Sequence, residues 1–243
     1  MSKIAVIIPA AGKGERFGGR ENKAFAKLDG RPLFMRAIEL FVNRDDVCQI
    51  ILAVSPEDMD TVKTRYGANI AFMGVKLVEG GARRSETVRR ALDVVDSEAA
   101  LVAVHDAARP CVTSHMIDAV FAEAAKSGAA ILGSPITGTL KLVSESGVID
   151  ETASRERLFE AQTPQVFLKT VIVDAFGKLS ADAEVTDDAQ VIEQSGHPVA
   201  VVISDASNLK ITAKGDLSLA GAILKSRPAK TASRRGAFEE AQW

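Results

Sequence analysis

A chain of 243 residues, 47% hydrophobic and 26% charged, is long enough to bury one large core and too apolar for wholesale disorder. Its net charge of −2 offers no general attraction to nucleic acid or an anionic membrane, so any anion site must come from a local cluster of Lys and Arg. Two Cys and three His, scattered along the chain, exclude a disulfide framework and argue against a zinc site, and no apolar run reaches membrane-spanning length; a cytoplasmic protein is expected.

Short apolar, β-branched runs predict strands at 3–9, 49–54, 74–78, 101–105, 129–135 and 199–203. None has a polar alternate face, which is the pattern of strands covered on both sides. Amphipathic spacing predicts helices at 33–41, 57–66, 85–95, 115–126, 171–179, 187–194 and 216–225, with Pro32 and Pro56 at helix starts and Ser55 and Ser114 as caps. Alternating strands and helices give an α/β fold of the Rossmann-like kind, a mostly parallel twisted sheet flanked by helices. One stretch departs from the alternation. Residues 137–157 read as extended runs at 139–143 and 148–151 around Ser144-Glu145-Ser146-Gly147, a β-hairpin that needs a surface to pack on. The expected organisation is one domain over 1–225 carrying this arm, followed by a polar tail at 226–243 with Lys230, Arg234 and Arg235.

Four segments carry groups suited to chemistry. Pro9-Ala10-Ala11-Gly12-Lys13-Gly14-Glu15-Arg16 leaves the first strand with small residues, and Arg16 and Lys23 add charge for an anion. It is neither a dinucleotide fingerprint, since Phe17 stands where the third Gly belongs, nor a P-loop, since no Gly-Lys-Ser/Thr closes it. His105-Asp106-Ala107-Ala108-Arg109-Pro110 puts a carboxylate and a guanidinium at the carboxyl edge of the sheet. Asp106 there suits either Mg²⁺ or a helix cap paired with Arg109. Gly80-Gly81-Ala82-Arg83-Arg84 feeds a helix start with the Thr87 hydroxyl close by; it suits a base or phosphate, or else a capped helix with both arginines in water. Thr163-Pro164-Gln165, Thr186-Asp187 and Asn208-Leu209-Lys210-Ile211-Thr212 are polar clusters at element boundaries, and read singly Thr186 is a helix cap.

Taken jointly, in this order and at this spacing, these motifs resemble the 2-C-methyl-D-erythritol 4-phosphate cytidylyltransferases of non-mevalonate isoprenoid synthesis, from Lys3 to about Leu224. The resemblance implies that CMP passes from CTP to 2-C-methyl-D-erythritol 4-phosphate with release of pyrophosphate, assisted by Mg²⁺ at Asp106. It implies nucleotide contacts at Ala10, Ala11, Gly12, Gly14, Gly81, Ala82 and Thr87. Catalytic cations would be Arg16, Lys23 and Lys210, and acceptor contacts Asp106, Arg109, Thr139, Arg155, Thr186 and Lys210. The arm would lend Thr139 and Arg155 to a second subunit, building a homodimer. This chain departs from the family pattern at Asn22, where Pro is usual, Ala24 for Gln, Thr87 for Ser, Ala82 where some members carry Asp, and Ser204 for Gly. Some relatives are fused to a second pathway enzyme, whose Asp-x-His metal motif is absent here. A ribitol 5-phosphate cytidylyltransferase is the nearest alternative. A dehydrogenase lacks its glycine pattern, and a non-catalytic binding protein has no reason to keep Arg16, Lys23, Asp106 and Lys210 together.

Overall fold

The computed structural model describes residues 2–12, 17, 22–180 and 182–228. In chain order the elements are β1 (Ile4–Ala10), a 3-10 turn at Lys23–Phe25, a short ribbon of β2 (Lys27–Leu28) and β3 (Arg31–Pro32), then α1 (Leu33–Glu39) and β4 (Val47–Val54). Next come α2 (Pro56–Phe72), β5 (Val75–Glu79), α3 (Arg84–Leu92), β6 (Leu101–Val104), α4 (Ser114–Ser127) and β7 (Ala129–Pro135). The chain continues with β8 (Leu140–Val143), β9 (Ile149–Ala153), β10 (Phe159–Leu168), α5 (Lys169–Lys178), α6 (Asp188–Gln194), β11 (Ala200–Ile203) and α7 (Gly215–Ser226).

Seven strands form the main sheet in the order β11-β7-β10-β6-β1-β4-β5. All six expected strands are in it, within two residues of their expected bounds, and every pairing is parallel except those of β10, which runs antiparallel to β6 and β7. That strand is absent from the sequence reading, which puts Thr163-Pro164-Gln165 at an element boundary. Its middle is polar, so no apolar run marks it, and its register with β7 shifts between Gln162 and Gln165. The polar residues are buried yet paired: Gln162 accepts from Ser204 Oγ and Asn208 Nδ2 at 2.8 and 3.0 Å, and Gln165 accepts from the Asp188 and Ala189 amides at 3.0 and 2.9 Å. Buried polar groups with partners carry little penalty, which is how a strand can cross the core without an apolar signature.

The pleat divides the core. Ile4, Val6 and Ile8 of β1 pack with Phe34 and Ile38 of α1, Val62 of α2 and Phe121 of α4 on one side. Ile7 faces the other way, toward the layer built by Val88 of α3, Phe176 of α5 and Ile192 of α6. A smaller cluster seats α7 through Ala220 on Leu28, Leu33 and Ile211. Two caps sit one residue from their expected places: Thr113, not Ser114, accepts from the Met116 amide, and Asp187, not Thr186, caps α6. Helix α2 runs on to Phe72, six residues past its expected end at Tyr66.

Ser55 is the expected cap of α2. Its hydroxyl accepts from the Asp58 amide and donates to Asp58 Oδ2 at 2.8 Å. Ser55→Ala is expected to lower unfolding stability by about 1 kcal/mol, read as a shift of the urea midpoint at unchanged slope. No shift would mean that the cap is replaced by water.

The hairpin is present as expected. Among the described residues strands β8 and β9 pair only with each other, and Leu142, Val148 and Ile149 are more than half exposed on the hairpin. No helix among the described residues is long and apolar enough to cross a membrane.

Candidate active site

Strand β1 has β4 and β5 on one side and β6 on the other, so the strand order reverses beside it. In open α/β sheets the crevice at such a reversal, beyond the carboxyl ends of the strands, is where ligands bind. A cleft lies there. Ala10, Ala11 and Gly12 after β1, Gly81 and Ala82 after β5, and Asp106 after β6 form its walls. Lys23, Arg84, Thr87 and Lys210 complete it.

Asn22, which stands where the family pattern has proline, ties the end of β1 to α2. Its amide nitrogen donates to the Ala10 carbonyl at 2.6 Å and to Asp58 Oδ2 at 3.0 Å, while its oxygen accepts from the Ala24 amide at 3.0 Å. Hydrogen bonds thus supply rigidity that a proline ring would otherwise give. Lys23 is thereby aimed at the cleft, and its amine reaches the Ile211 carbonyl at 3.4 Å. Gly14 and Arg16, both expected in this loop, lie outside the described residues.

On the opposite wall, the Gly80 amide donates to the Val54 carbonyl at 2.7 Å and the Gly81 amide to the Thr87 hydroxyl at 3.0 Å. The hydroxyl lies 3.0 Å from the Arg83 carbonyl, so it braces the turn it was expected to help bind through. A Cβ on Gly80 would come within 2.6 Å of Ala11 Cβ, so the two walls of the cleft meet too closely there for any other residue.

Asp106 is the electrostatic centre. Its Oδ2 accepts from Lys210 Nζ at 2.7 Å and its Oδ1 from Arg84 at 3.3 Å. Burial alone would raise its pKa, but the charges of Arg84, Lys210 and Arg109 reverse that and hold it far below the usual carboxylate range. His105, fully buried against Phe41, positions the backbone here. Its Nε2 sits 3.1 Å from the Arg109 carbonyl, which can only accept, so Nε2 carries the proton. Nδ1 then accepts from the Thr163 hydroxyl at 3.1 Å, and the same hydroxyl accepts from the Asp106 amide. Burial pushes the His105 pKa down to about 4, keeping the ring neutral.

Other expected residues lie elsewhere. Arg109 is buried behind Asp106 and donates to the Asn208 and Ala161 carbonyls at 2.7 and 3.2 Å, so it ties β10 to the Lys210 loop and does not line the cleft. Thr186 is exposed before α6, its hydroxyl bonded to Gln190 at 3.1 Å. Thr139 and Arg155 are exposed on the arm and do not line this chain's cleft; Arg155 donates to the Thr137 carbonyl. Arg84 is the functional candidate that sequence reasoning leaves in water. It bridges Asp106 and Asp188 instead, the latter at 2.8 Å, and these partners are 22 and 104 residues away in sequence. Among the described residues no group of three His, Cys, Asp or Glu side chains could hold a metal ion, and Asp106, with its oxygens on Lys210 and Arg84, is the one carboxylate among them that lines the cleft. That fits Mg²⁺ arriving with a polyphosphate, since it takes one or two carboxylates and fills its shell with water and phosphate oxygens.

The family model described as IspD, 2-C-methyl-D-erythritol 4-phosphate cytidylyltransferase, matches residues 4–226. The chain belongs to this family. It is 46% identical over 234 residues to the 2-C-methyl-D-erythritol 4-phosphate cytidylyltransferase of Rhodopirellula baltica, covering 92% of this chain and 95% of that one. The crystal structure of the Thermus thermophilus cytidylyltransferase of the same name superposes with a TM-score of 0.75 at 30% identity, over 90% of this chain and 98% of that one. That of Francisella tularensis gives 0.77 at 30% identity, over 91% and 100%. The family match covers residues 4–226, which include all seven strands of the main sheet.

Proposed function

We infer that this chain transfers CMP from CTP to 2-C-methyl-D-erythritol 4-phosphate, releasing pyrophosphate. The observation that carries the reading is the Asp106–Lys210 pair at 2.7 Å, set in a cleft at the strand-order reversal and facing Lys23. A phosphate oxygen of the acceptor forms a bond to the α-phosphorus of CTP. The bond from that phosphorus to the bridging oxygen breaks, and its electron pair leaves with pyrophosphate. The nucleophile is already an anion, so no general base is needed, and a neutral, buried His105 is consistent with that. The difficulty is bringing two polyanions together, which positioning and fixed positive charge overcome. Lys23, Lys210 and Arg16 supply that charge. Ala10, Ala11, Gly12, Gly14, Gly81, Ala82 and Thr87 form the nucleotide subsite. When bound, Mg²⁺ at Asp106 would neutralise phosphate charge beside them.

Thr186 belongs to the acceptor side, with Arg109 acting through Asp106. Thr139 and Arg155 complete the acceptor subsite of a second copy, because the exposed apolar arm has no covering surface among the described residues of its own chain. The protein would then be a cytoplasmic homodimer.

The test is pyrophosphate release from CTP with methylerythritol phosphate and ribitol 5-phosphate compared side by side. Turnover confined to ribitol phosphate would reassign the acceptor. Cytosine is read by backbone groups near Ala10, Gly81 and Ala82, which line the cleft, so CTP is expected to outperform ATP and GTP clearly. Equal turnover with a purine triphosphate would remove the cytidylyl assignment.

A further inference from the structure

Arg84 opens α3, directly after the Gly81-Ala82 turn, and two of its guanidinium nitrogens are committed to carboxylates on two other elements. Nε and Nη2 both reach Asp106 Oδ1 at 3.3 Å, and Nη2 also reaches Asp188 Oδ2 at 2.8 Å. Asp188 has a side chain only 1% exposed, at the first position of α6, two residues after Thr186. One planar fork therefore joins the nucleotide wall, the end of β6 and the acceptor wall. An ammonium is a point charge on a flexible stem and does not hold two carboxylates on different elements in fixed directions.

The ion pairs show why the fork matters. Asp106 is approached by Arg84, Lys210 and Arg109, whereas Asp188 is paired with Arg84. On the proposed reading, Lys210 turns toward CTP phosphates during the reaction. Arg109 still lies 3.8 Å from Asp106, but Arg84 is the cation that bonds both buried carboxylates, and without it Asp188 loses its ion-pair partner.

We propose that Arg84 is a positioning residue that sets the nucleotide wall and the acceptor wall in register through Asp106 and Asp188, so that the incoming oxygen and the α-phosphorus meet in line. This rests on the cytidylyltransferase reading of the cleft. Misalignment of reacting groups by about 1 Å costs on the order of 10² in rate. Arg84→Met is therefore expected to lower kcat by about 10²-fold, while the dissociation constant for CTP, measured by calorimetry, changes only a few-fold. A merely structural loss would instead reduce the binding stoichiometry and the unfolding temperature together with kcat.

The decisive comparison is a double-mutant cycle with Asp188→Asn. If Arg84 acts through Asp188, Arg84→Met costs less than about tenfold in the Asp188→Asn background, because one strut is already gone. Equal losses in both backgrounds would overturn the proposal. Should Arg84→Met fail to fold, Arg84→Lys replaces it throughout: a loss of at least about tenfold at a near-native melting temperature supports the fork, and wild-type turnover refutes it. Wild-type protein assayed with CTP and methylerythritol phosphate separates the two readings. An inactive wild type counts against the assigned reaction, whereas an active wild type with unaffected Arg84 variants counts against the positioning role alone.

Discussion

Lys210→Ala is expected to lower kcat by about 10²–10³-fold, equivalent to about 3–4 kcal/mol of transition-state stabilisation. In the cleft the ammonium rests on Asp106 Oδ2 at 2.7 Å, partly exposed and on a short loop before α7. Phosphate oxygens gain negative charge as the phosphorus centre passes through its crowded state, so a nearby cation contributes more there than in the ground state. Loss of the ammonium should therefore appear mainly in kcat. Asp106 remains paired with Arg84 in the variant, so the fold around it is retained. Pyrophosphate release followed at saturating CTP and acceptor gives kcat directly. A variant within a few-fold of wild type would make Lys210 a structural partner of Asp106 and remove it from the chemistry.

Arg155→Ala is expected to abolish most turnover without unfolding the chain, because its side chain is exposed and its bond to the Thr137 carbonyl closes only the base of the arm. In the proposed dimer, Arg155 of one subunit serves the cleft of the other. Mixing this variant with Lys23→Ala then produces hybrid dimers in which one cleft bears both defects and the other bears neither. Up to half of the hybrid's sites regain activity. Exchange of subunits is verified by pull-down of a tagged copy. Exchanged subunits with no recovered turnover would show that Arg155 serves its own cleft, or none.

The parallel part of the fold was legible because its central strands are apolar and buried on both faces, as in Ile4–Ala10 and Leu101–Val104. The edge strands Val75–Glu79 and Ala200–Ile203 are partly exposed, against the expectation of cover on both sides, and were marked only by their apolar runs. Phe159–Leu168 was illegible for the opposite reason. Gln162, Thr163 and Gln165 are buried in it, but what makes that tolerable lies far along the chain, at Asn208, His105 and Asp188. A proline within it also argues against a central strand on local grounds. The same distinction governs the cleft. Lys23, Asp106 and Lys210 stood out in motifs whose order and spacing are specific, and they do line one cleft. Arg84 sits next to Arg83 in a run that reads as a solvated pair, and only folding brings two acidic side chains to it. Local sequence reports a residue's type and period; it does not report which distant group satisfies its charge.

The arm leaves the sheet and re-enters it at nearly one point. Pro135 at the end of β7 is paired with Phe159 at the start of β10, and the Ile136 amide donates to the Leu158 carbonyl at 3.0 Å just beyond. Geometrically, β7 and β10 are the two legs of an ordinary hairpin whose turn has been opened to admit a second, smaller hairpin. Everything between those legs hangs from a closed hydrogen-bonded rung, so lengthening, shortening or rewriting it transmits no strain to the strands that carry Asp106 and Gln165. Changes in the length of the arm can therefore be accommodated without reworking this chain's own strands, since the arm is attached to the sheet through a single clasp.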